Sequence, residues 1–253
     1  MDRTSTEELF THERNDYAQR EALLDIQAST QDGVVLGVKL AQMYQAYAQR
    51  RGWSVHEIWP HPIPGSTRSA MHGIWRIAAG GAYAELKNED GVHQLQETRV
   101  TADRPSLQRC SATVAVLPGA EPMEVECDPE QVRIDLIRHA EDPDLGISRF
   151  DTVTRLTHLP TAVQVTCCRR RGIVDTGDCL FALNAYLLRS QYMRASVHHA
   201  SLRDTKNAQI IRIYDAMEGH VVDRRLDQPI PGLSAIFAGE LELLIDALKV
   251  SQG

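Results

Sequence analysis

An α+β fold is the class this sequence predicts, and three features point to it. Apolar residues recur at helical spacing in a few long stretches, sheet-like segments bounded by turn residues fill much of the rest, and no internal repeat or low-complexity tract interrupts them. The first helix follows Leu36, Leu40, Met43, Tyr44 and Tyr47 and stops at Gly52, a residue suited to a helix end. It is flanked by 23–28 and 53–59, both of which read as strands.

After the Pro/Gly-rich break His61-Pro62-Ile63-Pro64-Gly65, the segments 74–78, 82–87 and 92–96 read as sheet, with Asn88-Glu89-Asp90-Gly91 as the turn before the last. The run 111–117, ended by Pro118-Gly119, and the segments 132–137 and 162–168 add further strands. A second helix is expected from a cap at Asp178 to about Arg194, with Leu180, Leu183 and Leu187 on one face. A third carries Phe237, Leu241, Leu244, Ile245 and Leu248. The first twenty residues read as a short helix or a loose arm.

A chain of 253 residues with 43% hydrophobic and 24% charged residues has the composition of a globular protein that buries a sizeable core. Its net charge of -7 lacks the basic footprint of a nucleic-acid-binding domain, so any RNA contact would rest on local patches. The start, Met-Asp-Arg-Thr-Ser-Thr-Glu-Glu, lacks the order of a signal peptide, and no apolar run approaches the roughly 18 residues of a membrane helix. A cytoplasmic protein with no membrane association is therefore expected. Five cysteines, two of them adjacent and none in C-x-x-C spacing, are expected to be buried thiols. His198-His199 has no carboxylate or cysteine at ligand spacing, so neither a metal nor a cofactor is expected.

Several strings carry a resemblance. Gly91-Val92-His93-Gln94-Leu95-Gln96, Ala112-Thr113-Val114-Ala115-Val116-Leu117-Pro118 and Arg155-Leu156-Thr157-His158-Leu159-Pro160-Thr161 are similar to signature strings of class I peptide chain release factors. Ile211-Arg212-Ile213-Tyr214, then Gly219, Val221, Asp223 and Arg225, then Leu241 with Leu244-Ile245-Asp246-Ala247-Leu248, follow in the family's order and spacing. The resemblance runs from about Leu23 to the end. It implies an N-terminal arm (1–22), a mixed-sheet codon-reading domain (23–129), a protruding α/β domain that in the family bears a G-G-Q tripeptide (130–213), and a C-terminal segment (214–253) packing back on the codon-reading domain. By this reading, no counterpart of the family's helical N-terminal domain is expected in this sequence.

The resemblance also locates the family's functional positions. In the family the two glycines of G-G-Q let the backbone approach RNA, and the glutamine N–H supports charge developing in ester hydrolysis. A gapless count from Arg133-Ile134-Asp135 to Arg155-Leu156-Thr157 places those positions on Pro143, Asp144 and Leu145. Proline fixes its own φ and restricts Asp142, and Asp144 lacks glycine's freedom. Glu141, Asp142 and Asp144 add three carboxylates, with Arg149 opposing them. The family's S-Q-H-x-N-K string falls on Gly172-Ile173-Val174-Asp175-Thr176-Gly177, while Arg169-Arg170-Arg171 remains a candidate RNA contact.

The codon tripeptide falls on Arg99, Val100 and Thr101 and the base-stacking histidine on Gln108; the glycine-rich start of the domain becomes Ser29-Thr30-Gln31-Asp32-Gly33. His93 and His158 are expected to be structural. The expectation is a ribosome- or RNA-binding protein related to translation termination without efficient peptidyl-tRNA hydrolysis. A scaffold for a protein partner and an active release factor with a reshaped loop are the alternatives.

Overall fold

In the computed structural model the described residues are 19–59, 71–101, 104–120, 124–125, 127–137, 152–169, 176–197 and 210–251. They form a mixed eight-stranded sheet and a separate three-stranded one. The expected N-terminal arm lies outside the described residues except for its last few positions.

The large sheet is built from β1 (Ala22–Ala28), β2 (Ser54–Trp59), β3 (Met71–Ala78), β4 (Gly91–Thr101), β5 (Arg104–Pro118), β9 (Ile210–Asp215), β10 (His220–Asp223) and β11 (Ile230–Pro231). Their order across the sheet is β11-β10-β9-β4-β5-β1-β3-β2. β9 lies parallel to β4, with Leu95 opposite Tyr214, and the other neighbouring strands are antiparallel. The strand that spans residues 213 and 214 therefore sits wholly in the large sheet.

Helix α1 (Gln31–Arg50) covers one face of this sheet. Thr30 caps it by accepting from Gly33 N at 3.1 Å, and Leu36, Leu40, Met43, Tyr44 and Tyr47 pack against Ala22, Leu24 and Ile26. Gly33 is required by closeness: a Cβ there would stand 2.6 Å from the Ser111 carbonyl oxygen. β1 is buried on both faces, which explains its almost unbroken apolar run, because Leu23 points the other way into a second core.

That second core holds the three-stranded sheet of β6 (Val132–Ile137), β7 (Thr152–His158) and β8 (Val163–Arg169), in the order β6-β7-β8, together with helix α3 (Thr176–Val197). Leu156 and Val165 meet Cys179, Ala182, Leu183 and Leu187 of α3 there, against Leu23, Ile74 and Leu117. Polar ties also join α3 to the large sheet. Asp178 binds Arg76 at 3.0 Å and His56 at 3.1 Å, and the Tyr186 hydroxyl donates to Asp25 at 2.6 Å.

Four expectations need correction. Ala82–Leu86, read as sheet, is a short helix (α2) followed by a 3-10 turn at Lys87–Glu89; Gly81 opens it and alternation is absent from its Ala-Tyr-Ala-Glu-Leu sequence. The C-terminal helix is broken into α4 (Leu233–Phe237) and α5 (Glu242–Ser251) at Gly239, whose φ of 94° no helix accommodates. Helix α3 begins at Thr176, so Asp178 lies in its first turn and binds Arg76 rather than capping; Leu180 is 37% exposed and is not on the packed face. Cys167 and Cys179 meet sulfur to sulfur as a disulfide between β8 and α3, while Cys127 and Cys168 are buried thiols and Cys110 is half-buried. Among the described residues no helix is long and apolar enough to cross a membrane.

Candidate functional site

Two ends of the molecule receive the positions singled out in the sequence. At the first, β4 and β5 form a long hairpin, running from Gly91 opposite Val114 to Thr101 opposite Arg104. The codon-tripeptide equivalents are thus strand residues at the hairpin tip, with Arg99 opposite Ser106 and Val100 opposite Pro105. The backbone positions of Val100 and Thr101 are described; their side chains are outside the described set. Gln108 sits opposite Glu97 in continuous ladder.

Alternation along the strands puts Leu95, Glu97 and Arg99 on the same face as Gln108 and Cys110, the face covered by α1. The consequence is a contact between positions 67 residues apart: Arg99 Nη1 binds Asp32 Oδ1 at 2.8 Å, in the first turn of α1, while its Nε binds Glu97 Oε1 at 2.8 Å. The segment expected at the domain's start and the one expected at the codon tripeptide therefore meet. Hydrogen bonds from Asp32 and then Glu97 push the Arg99 pKa further up, so the charge is permanent, yet two carboxylates neutralise it. Gln108 Oε1 is buried and has no hydrogen-bond partner among the described residues. This edge offers amide hydrogen bonding rather than free positive charge for phosphates.

At the second end, the strings used for the loop count are register partners. Arg133 lies opposite Thr157, Ile134 opposite Leu156 and Asp135 opposite Arg155 on β6 and β7. Residues 138–151 join these two neighbouring strands, and Pro143, Asp144, Leu145 and Arg149 on that connection lie outside the described residues. Arg169 ends β8 opposite Thr152, with its backbone alone described; Arg170 and Arg171 also lie outside. The two ends are thus not brought together by any described contact between site residues.

Away from both, a buried charged cluster that the sequence reading missed joins β9, β10 and the turn before β4. Arg212 and Glu89 are fully buried and doubly hydrogen-bonded, one contact being Nη2 to Oε1 at 2.8 Å, and Arg212 Nε reaches Asp223 Oδ2 at 3.0 Å. Arg225 closes the cluster on Asp223 at 2.7 Å, and the Tyr44 hydroxyl donates to Glu89 at 2.8 Å. Burial alone would raise the Glu89 pKa, but the charge and hydrogen bonds of Arg212 outweigh it and hold the carboxyl below its usual range.

His93 is enclosed by the same groups. Burial, helped by the Arg212 charge, takes its pKa down to about 4, so the ring is neutral at pH 7. Its Nε2 lies 2.8 Å from the Glu89 carbonyl, which can only accept, so Nε2 carries the proton and Nδ1 accepts from the Tyr214 hydroxyl at 3.1 Å. That is a positioning role inside the sheet. His158 likewise binds Thr161 through Nδ1 at 2.8 Å at the end of β7. The signal for the cluster was present in the sequence as a lone arginine inside the apolar strand Ile-Ile-Arg-Ile-Tyr, whose burial demands acidic partners.

Comparison with known proteins accords with this arrangement. A family model described as the PCRF domain matches residues 3–114. The chain is 31% identical over 249 residues to peptide chain release factor 1 of Syntrophus aciditrophicus (strain SB), covering 95% of this chain and 69% of that protein. It is also 31% identical over 245 residues to peptide chain release factor 1 of Frankia casuarinae, covering 92% and 69%. RF2 of Thermus thermophilus superposes with a TM-score of 0.74 at 25% identity, over 98% of this chain and 75% of that one. The chain spans about two thirds of the length of the curated relatives it matches. Fold, string order and relatives agree, and the chain belongs to the class I peptide chain release factor family.

Proposed function

We propose that this protein is a cytoplasmic, termination-related factor that binds the ribosome or another RNA without efficient peptidyl-tRNA hydrolysis, as a regulator, a competitor or a rescue component. The observation that carries this reading is the loop count. Arg133-Ile134-Asp135 and Arg155-Leu156-Thr157 are register partners on adjacent strands, which supports reading the connection between them as the family's loop, with Pro143-Asp144-Leu145 at the G-G-Q positions by the gapless count. A proline and two β-carbon-bearing residues restrict a backbone that two glycines would leave free. Glu141, Asp142 and Asp144 oppose approach to phosphates.

The other end supports the same direction. A tripeptide equivalent whose arginine is held by Asp32 and Glu97 is poorly set to read a codon by charge or by a proline-shaped loop. Arg169-Arg170-Arg171 remains the candidate RNA contact.

The test is affinity purification of the tagged full chain with and without ribonuclease. Ribosomal proteins and RNA should copurify and be lost on digestion. A single protein partner retained at fixed stoichiometry after digestion, with no ribosomal material before it, would overturn this reading in favour of a protein scaffold.

A further inference from the structure

Among the described residues, the outer edge of the three-stranded sheet is unpaired and unusual for such an edge. β6 is at the end of the order β6-β7-β8, and β8 is the strand that approaches β2, so β6 lies on the side away from the large sheet. Its residues alternate: Ile134 is 53% and Leu136 75% exposed on one face, while Arg133 and Asp135 on the other bind each other at 3.0 Å. An open strand edge bearing apolar side chains is a template for another strand unless charge protects it. Charges of one sign would protect it. Opposite charges two residues apart do not.

We propose that β6 pairs antiparallel with β6 of a second copy of this chain about a two-fold axis at Ile134. In that register Arg133 faces Asp135 of the second copy, Asp135 faces its Arg133, Ile134 meets Ile134, and Val132 meets Leu136. The sequence selects this register over its neighbours. Sliding the dyad by one residue either way sets Asp135 against Asp135 or Arg133 against Arg133, and half-step slips set charged residues against apolar ones on the wrong face.

Among the described elements, space permits the arrangement. Helix α3 lies mainly over β8 and β7, so about four strand spacings, roughly 19 Å, separate the two copies of α3, wider than the about 10 Å a helix occupies. The apolar side chains of both copies of β6 then line one strip between the helices, and two three-stranded sheets become one of six. A single strand edge is a small interface, so a dissociation constant on the order of micromolar or weaker is expected.

Sedimentation equilibrium of the full chain over a concentration series tests this. The 28.3 kDa chain should approach twice its mass at high concentration. Arg133→Asp and Asp135→Arg should each weaken association at least about tenfold, since each juxtaposes like charges, and the double exchange should restore it to within about threefold. Leu136→Lys should also weaken it. Both charged residues are about half-exposed, and circular dichroism checks each fold; the two reversals test the same contact independently, so one that misfolds leaves the other decisive. A wild-type chain that stays monomeric throughout, single reversals without effect, or a double exchange that fails to restore pairing would overturn the proposal.

Discussion

The large sheet and the three-stranded sheet settle their charges in opposite ways. In the large sheet, Glu89, Arg212 and Asp223 are fully or almost fully buried and bind one another. In the smaller one, Arg133 and Asp135 are about half-exposed, and α3 is tied to the large sheet through groups such as Arg76 that water still reaches. A buried charge is bound to its partners because losing one leaves the others uncompensated, whereas an exposed charge is free to change. That difference teaches where a single charge change should cost stability, in the buried cluster far more than at the exposed pair.

The sharpest way to break the comparison is Arg212→Met. It leaves Glu89 buried without its counter-charge and Asp223 with Arg225 alone, and should cost about 3–5 kcal/mol in urea unfolding. A loss under about 1 kcal/mol would show that the cluster does not anchor the sheet.

Acid should act on the same cluster. The Glu89 and Asp223 carboxyls sit below their ordinary values when folded, because Arg212 and Arg225 outweigh the effect of burial. The unfolded chain therefore binds protons more readily, and this contribution is present above the unfolded pKa near 4 and lost as pH falls through the folded values. His93 adds a second, milder window. Its folded pKa of about 4 lies below the unfolded value of 6.5, so stability should fall as pH drops from about 6.5 towards 4. The slope should reach at most about 1.4 kcal/mol per pH unit. Urea midpoints across that range check it, and a flat profile would contradict a buried neutral ring.

Smaller effects belong to the partly exposed ties. Asp178→Asn weakens the contacts to Arg76 and His56 and should cost about 1 kcal/mol, discounted for solvent screening. Thr30→Ala removes the α1 cap and should cost about 0.5–1 kcal/mol in the same unfolding assay. If either matched the loss from Arg212→Met, the contrast between the two regions would fail.

Strands β1 and β3, the 111–117 part of β5 and the long helix α1 were legible because their apolar pattern agrees with their burial. Ala82–Leu86 was not, since five residues give too little periodicity to separate a helix turn from a strand. Gly239 was passed over because the apolar spacing continues across it. At the sites, family strings singled out Arg99 and Gln108 as expectations, but the ion pair of Arg99 with Asp32 depends on tertiary approach of α1 to the hairpin. Glu89 was hidden in a turn pattern, and its partner Arg212 lies 123 residues away. Local pattern carries the elements; partners across the sheet emerge with the fold.

The most direct measurement combines binding and release on purified ribosomes holding peptidyl-tRNA at a stop codon, with full-length chain added in excess. The expected result is bound protein with peptide release no faster than in its absence, and no gain from changing the codon. Stop-codon-dependent release by the unaltered chain that survives Leu145→Ala would contradict it, because hydrolysis would then proceed through a loop carrying Pro143 and Asp144 in place of two glycines.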